Sequence, residues 1–160
     1  MVATLVLSSV LSLSFLCYSA WISKGIPVSI SETYYLLGKK GWIFQLVMTA
    51  IAVTLYPVWV NACSTELIGL AFASCASLIF VVIAPSFRLP LEGKVHYISA
   101  SVCCICSVTW QILEGLWDVT LWCEFLCLML TIQYRKNWCW WIECAIVTSV
   151  YMNLLVQLNI

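Results

Sequence analysis

The chain has 160 residues, of which 64% are hydrophobic and only 9% carry a charge, and its formal net charge is zero. Soluble domains are only about half apolar, so this composition, with a mean hydropathy of +1.04, excludes an ordinary soluble domain and indicates an integral membrane protein. Seven basic residues balance seven acidic ones, which gives no support to nucleic-acid binding. The length allows one domain, residues 1–160, with little chain outside the bilayer.

Six apolar runs follow one another along the chain. Each is near the length of about 20 residues that a helix needs to cross about 30 Å of hydrocarbon. We predict an all-α fold, a polytopic bundle of six membrane-spanning helices at residues 3–22, 42–60, 66–84, 95–113, 117–134 and 138–158. We expect the first run to be a retained span, because signal peptides begin with a basic stretch and no Lys or Arg precedes Lys24.

The basic residues predict the orientation of these spans. They occupy alternate gaps between the apolar runs: Lys24, Lys39 and Lys40, then Arg88 and Lys94, then Arg135 and Lys136. Lys and Arg collect in cytoplasmic loops because positive charge resists translocation. We therefore predict a multi-pass protein of the plasma or inner membrane, with both termini on the non-cytoplasmic side.

The longest connection, residues 23–41, has a predicted structure of its own. Pro27 restricts the residue before it to an extended conformation. Ser29, followed by Ser31 and Glu32, matches a capping box, in which a hydroxyl and a carboxylate satisfy free N–H groups at a helix start. We predict a short interfacial helix, which serves either as a membrane-surface connector or as a lid that contacts lipid headgroups.

Two segments resemble a known family. Residues 27–33, Pro-Val-Ser-Ile-Ser-Glu-Thr, look like the Pro-x-Ile-Ser-Asp-Thr pattern after the first span of the Frag/DRAM/Sfk group of six-span proteins. Residues 95–100, Val-His-Tyr-Ile-Ser-Ala, are similar to the group's His-x-x-Gly-Ala at the start of span four, with Ser99 in place of Gly. The resemblance implies a non-enzymatic role in lipid handling, membrane organisation or signalling.

Ionisable residues within spans are costly and usually face the protein interior, so they are candidates for function. Glu124 lies near the middle third of span five, and Glu143 lies closer to the cytoplasmic end of span six. They form either a proton or cation site or a pair of protonated hydrogen-bonding groups, with Gln111 as one candidate neighbour. His96, the single histidine, is a further candidate for binding a ligand or a proton, together with Gln111. One histidine cannot build a zinc site of three or four ligands, so we expect no metal.

The ten cysteines and a stripe of small residues suit helix packing. Nine cysteines lie in predicted spans and no C-x-x-C pair occurs, so we expect packing rather than redox chemistry, while a disulfide stays open. Gly69, Ala73 and Ser77 recur every four residues in span three, which favours close helix contact within the bundle or between two copies.

The sequence thus carries two function hypotheses. The first is a non-catalytic module that binds or organises membrane lipid, or scaffolds a partner. The alternative is a small transporter or channel subunit with a proton or cation path through Glu124 and Glu143. An enzyme ranks last, because neither a nucleophile–base pair nor a metal set is recognisable. We expect no cofactor; the candidate partners are lipid, a second copy, or another membrane protein.

Overall fold

Each apolar run forms a helix, and the connections between the helices are short. The computed structural model describes residues 1–86 and 91–159, and this part of the chain is all-helical, without strands. Its α-helices are α1 (Val2–Ile22), α2 (Glu32–Leu37), α3 (Trp42–Ala62), α4 (Ile68–Ile83), α5 (Leu91–Leu113), α6 (Trp117–Gln133) and α7 (Trp138–Gln157). Single 3-10 turns precede α3, α4 and α7, and one follows α4.

Five helices of the described chain are long and apolar enough to cross a membrane: α1, α3 and α5, together with α4 and α7 extended by their 3-10 turns. The sixth predicted span, α6, has 17 residues, or about 25 Å at 1.5 Å per residue, which is the lower end of the length needed to cross. The all-helical prediction is confirmed, whereas the sixth crossing remains a prediction. A short helix, α2, does follow the first span, and its position at the interface also remains a prediction.

Five helices surround a common centre. Contacts link α1 to α3, α3 to α4, α4 to α5 and α5 to α7. Hydrogen bonds from Tyr151 to Ser8 and Ser12 join α7 back to α1 and close the ring. α6 lies outside this ring and packs mainly along α7, with a smaller contact to α5.

The outer surface of this bundle is apolar. Leu46, Ile105 and Trp122 are each more than 60% exposed, and many other large apolar side chains face outward with them. Soluble proteins rarely expose contiguous apolar patches of more than a few hundred square ångströms. The exposed surface therefore agrees with a lipid-facing exterior.

The small-residue stripe predicted on the third span is not the buried face of α4. Gly69 is exposed, and a Cβ placed there would meet no atom within 4 Å. The buried small residues are Ala71, Ser74 and Cys75. Because each residue advances a helix by about 100°, this i, i+3, i+4 set lies on a different side of α4 from Gly69.

The six described basic residues lie at one end of the bundle. Residues 23–41 carry three of them, and hydrogen bonds join this segment to the first turn of α5 beside Lys94 and to Asn137, which follows Arg135 and Lys136. Arg88, the seventh basic residue, lies outside the described residues. The orientation prediction assumes that all basic residues lie on the same side of the membrane. Every basic residue that the structure describes agrees with this assumption.

Candidate functional site

The connection of residues 23–41, hereafter loop one, folds across the basic end of the bundle. Its apolar residues Ile30 and Leu37 are buried, and Thr33 is fully buried. The Thr33 hydroxyl donates to the Ser19 hydroxyl of α1 at 2.9 Å. Loop one is therefore packed into the helical core rather than lying free on its surface.

The start of α7 binds the extended part of loop one. The Asn137 side-chain amide donates to the carbonyls of Ile26 and Pro27 at 2.7 and 3.0 Å. The backbone N–H of Trp140 donates to the Val28 carbonyl at 2.9 Å. The first N–H groups of a helix have no partner within the helix, so loop one supplies an acceptor to the first turn of α7.

Glu143, one turn further along α7, also binds loop one. Its Oε2 accepts the backbone N–H of the buried Ile30 at 2.5 Å. A carboxylate that receives a backbone N–H in a largely buried position satisfies a donor that water cannot reach. The structure thus gives Glu143 a definite contact, in which it holds the buried Ile30 of loop one against α7.

The predicted capping residues do form a local turn, but not at the first residue of the helix. The Glu32 backbone N–H donates to the Ser29 hydroxyl at 3.2 Å, as a capping box requires. The Glu32 carboxylate accepts the Val28 N–H at 2.6 Å, one residue earlier than the pattern predicts. The residue that precedes α2 is Ser31, whose side chain makes no capping bond, so this hydroxyl is free to bind elsewhere.

Loop one also contacts the start of α5. The Ser31 hydroxyl lies 3.2 Å from Nε2 of His96, and this contact joins the two segments on which the family resemblance depends. The Tyr35 hydroxyl donates to Oε1 of Glu92 at 2.5 Å. This hydrogen bond, together with partial burial and the negative charge of Glu92, raises the pKa of Tyr35 to about 12.

A cavity of about 100 Å³ lies at the centre of the helix ring, directly beneath loop one. Ile30 of loop one and Phe15 of α1 line one end, and Leu55 and Trp59 of α3 line its wall toward the other end. Further residues of α1 and α3 and residues of α4, α5 and α7 complete the lining, and none that line it comes from α6 in the described chain. The walls are mainly apolar, and ligand sites in proteins are typically concave and apolar with a few polar groups.

A buried polar cluster lies at the opposite end of the bundle. The Gln111 side-chain oxygen accepts from Thr120 at 2.8 Å and from Asn153 at 2.7 Å, and all three side chains are buried. Gln111 is therefore engaged with α6 and α7 rather than with either glutamate. Sequence reasoning missed Asn153, although an amide within the last apolar run was a visible signal, since polar residues inside spans are rare.

Glu124 lacks a comparable hydrogen bond. Its Oε1 is buried and has no hydrogen-bond partner among the described residues. Neither Glu124 nor Glu143 belongs to the described residues that line the central cavity.

The other reactive groups do not assemble into a known centre. Among the described residues, no three His, Cys, Asp or Glu side chains are placed to hold a metal ion. All ten cysteines are free thiols. Cys63, in the turn between α3 and α4, is half-buried, and this burial together with the nearby Glu114 carboxylate raises the pKa of its thiol to about 12.

No protein-family model, curated protein or solved structure matches this chain.

Proposed function

We propose that this protein is a non-catalytic, six-span membrane protein of the Frag/DRAM/Sfk type whose central cavity binds the apolar part of a lipid. The observation that carries the proposal is the apolar cavity lined by five helices and by Ile30 of loop one. A lipid module needs such an apolar space close to the membrane surface. A carboxylate path would instead need Glu124 and Glu143 to face a shared polar cavity.

Loop one is the element that we propose controls access to the cavity. Ile30 lines the cavity and is held by the Glu143 carboxylate, while the flanking residues bind α1, α5 and α7. These contacts hold loop one over the cavity, and in our proposal they must be released for a lipid chain to enter. In this proposal loop one acts as a lid, with Pro27, Ser29, Ser31 and Glu32 shaping its extended part and its turn.

The proposal is tested by mapping where lipid chains touch the protein. Purified protein is reconstituted in phosphatidylcholine vesicles that contain a trace of phosphatidylcholine with a diazirine on its acyl chain, and crosslinked peptides are identified by mass spectrometry. We expect crosslinks on inward-facing cavity residues such as Ile51 and Leu55, in addition to outward-facing residues such as Val53. Crosslinks confined to outward-facing residues of the wild type would contradict the proposal.

Two variants of α3 sharpen this test. Ile51→Phe fills part of the cavity, and we expect it to reduce inward crosslinking by about tenfold while outward crosslinking is unchanged. Val53→Phe makes the same kind of change two residues away, on a side chain that is 60% exposed, and we expect it to leave inward crosslinking unchanged.

The transport alternative is favoured by one observation, the buried and unpartnered Oε1 of Glu124. A carboxyl group of this kind is a candidate proton or cation site. The alternative predicts proton flux into reconstituted vesicles, measured with an enclosed pH-sensitive dye, that is lost in Glu124→Gln and Glu143→Gln. Our proposal predicts that wild-type vesicles show no more flux than empty ones.

A further inference from the structure

We infer that the central cavity binds an alkyl chain that bears a hydrogen-bond-accepting oxygen at one end, and that the indole N–H of Trp59 binds this oxygen. The inference rests on the proposed lipid-binding function and adds the chemical class of the ligand and its direction in the cavity.

Trp59 has a donor without an acceptor. It lies in the last turn of α3, is 2% exposed, and lines the cavity. Its Nε1 is buried and has no hydrogen-bond partner among the described residues. Buried N–H groups in proteins nearly always have a partner, so an acceptor oxygen that enters the cavity and reaches Nε1 by a small shift of the indole gains a hydrogen bond without displacing another.

The hydroxyl groups on the cavity wall are already paired with one another. The Tyr151 hydroxyl lies 2.6 Å from that of Ser8 and 2.8 Å from that of Ser12. The hydroxyls of Ser74 and Ser107 lie 2.7 Å apart. The Trp59 N–H therefore differs from these groups, and a ligand with one acceptor matches the wall better than a polar molecule with many.

The shape of the cavity gives the ligand its direction. On α3 the lining residues run from Met48 to Trp59, which corresponds to about 16 Å along the helix axis. Ile30 and Phe15 lie at the end beneath loop one, and Trp59 lies toward the other end. A single buried water needs a cavity of about 10–15 Å³. A cavity of about 100 Å³ therefore has room for several atoms in a row. We therefore place the apolar chain end under Ile30 and the oxygen at Trp59.

The experiment uses the full chain in detergent micelles with ¹⁵N in its indole groups, titrated with 1-decanol and, separately, with n-decane. Trp59→Phe assigns the Trp59 signal, because it removes the N–H and keeps an aromatic ring. We expect decanol to move this signal downfield in a saturable manner and decane to leave it in place. We also expect Trp59→Phe to weaken decanol binding about fivefold and to leave decane binding unchanged.

Trp110→Phe is the matched control. Trp110 is fully buried, packs against Trp59 at a centroid distance of 5.1 Å, and also has an unpartnered Nε1, but it is not among the residues that line the cavity. We expect this variant to bind decanol as the wild type does. Equal losses in the two variants would assign the effect to general packing and overturn the inference.

Other outcomes separate this inference from the function on which it rests. If decanol and decane bind equally and the Trp59 signal does not move, the N–H is satisfied by internal water or by the face of Trp110, and the inference fails while chain binding stands. If neither compound binds, the proposed function fails as well.

The same oxygen can belong to a free single-chain amphiphile or to the ester of a phospholipid. Native mass spectrometry of protein extracted from membranes distinguishes them by the mass of the adduct. We expect the adduct to be weaker in Trp59→Phe than in Trp110→Phe. Adducts of equal intensity in the two variants would contradict the role of Trp59.

Discussion

Glu124 and Glu143 are the same residue type on neighbouring helices, yet their surroundings give them opposite contributions to stability. Glu143 satisfies the buried N–H of Ile30, so its removal leaves a donor without a partner. Glu124 buries Oε1 without a partner in the described chain, so it bears a desolvation cost that no described hydrogen bond offsets. The difference arises because loop one, which lies far from both glutamates in the sequence, binds Glu143.

This difference predicts changes of opposite sign. Glu143→Leu should lower the free energy of unfolding by about 1–3 kcal/mol, the usual cost of an unsatisfied buried donor. Glu124→Leu should be neutral or stabilising. The measurement is unfolding of the purified variants in detergent by denaturant, followed by circular dichroism. Glu143→Gln, which keeps a side-chain oxygen for Ile30, is the control and should retain most of the lost stability.

At the scale of elements, the position of loop one depends on close packing between Tyr34 and Gly41. A Cβ on Gly41 would lie 2.7 Å from Cε2 and 2.9 Å from Cδ2 of the Tyr34 ring. That ring also packs edge-on against Tyr35 and Phe44. It therefore cannot shift away from a Cβ at position 41 without displacing these two rings. Glycine at this position therefore lets the end of loop one approach the ring.

We predict that Gly41→Ala loosens loop one without unfolding the bundle. Amide hydrogen exchange should become faster by about tenfold or more for residues 28–37, whereas exchange in α3 and α4 should stay slow. Gly25→Ala is the control, since a Cβ there meets no atom within 4 Å. Equal protection of residues 28–37 in the two variants would show that the contact with Tyr34 does not fix loop one.

The sequence predicts the boundaries of the helices much better than it predicts which helices contact one another. The predicted boundaries 42–60 and 117–134 differ by at most two residues from those of α3 and α6, because the length of an apolar run fixes a membrane helix. Apolar periodicity does not specify which helices touch, however. The bonds from Asn137 and Glu143 to loop one, and from Asn153 to Gln111, join residues more than 40 positions apart, so only tertiary structure reveals them.

For the whole molecule, the central question is whether α6 crosses the membrane although it lies outside the helix ring. Near its first turn, Thr120 binds Gln111 and Asn153 at the end of the bundle away from loop one. Just after its last turn, Asn137 binds loop one at the basic end. α6 therefore runs the length of the bundle, and its crossing of the membrane remains a prediction. The prediction from sequence is six crossings with both termini on the non-cytoplasmic side, as the alternation of basic gaps implies.

Thiol labelling in intact cells tests this topology. We predict that cysteines introduced one at a time into the native chain at Asn61 and Asp118 react with a membrane-impermeant maleimide from outside, and that cysteines introduced at Lys39 and Lys136 react only after permeabilisation. All four positions are exposed. Asp118 and Lys136 bracket α6, so equal accessibility of these two sites would show that α6 does not cross.

The native Cys63 provides an internal reference for this experiment, because it lies two residues from Asn61. Its pKa of about 12 leaves a thiolate fraction at pH 7 on the order of a thousandfold below that of an unperturbed thiol, and only the thiolate attacks maleimide. We therefore expect slow labelling of the wild-type protein and fast labelling of Asn61→Cys at pH 7. Raising the pH toward 9 should speed the reaction of Cys63, since more of its thiol ionises. Rapid labelling of Cys63 at pH 7 would show that the turn between α3 and α4 is open to water rather than packed against α5.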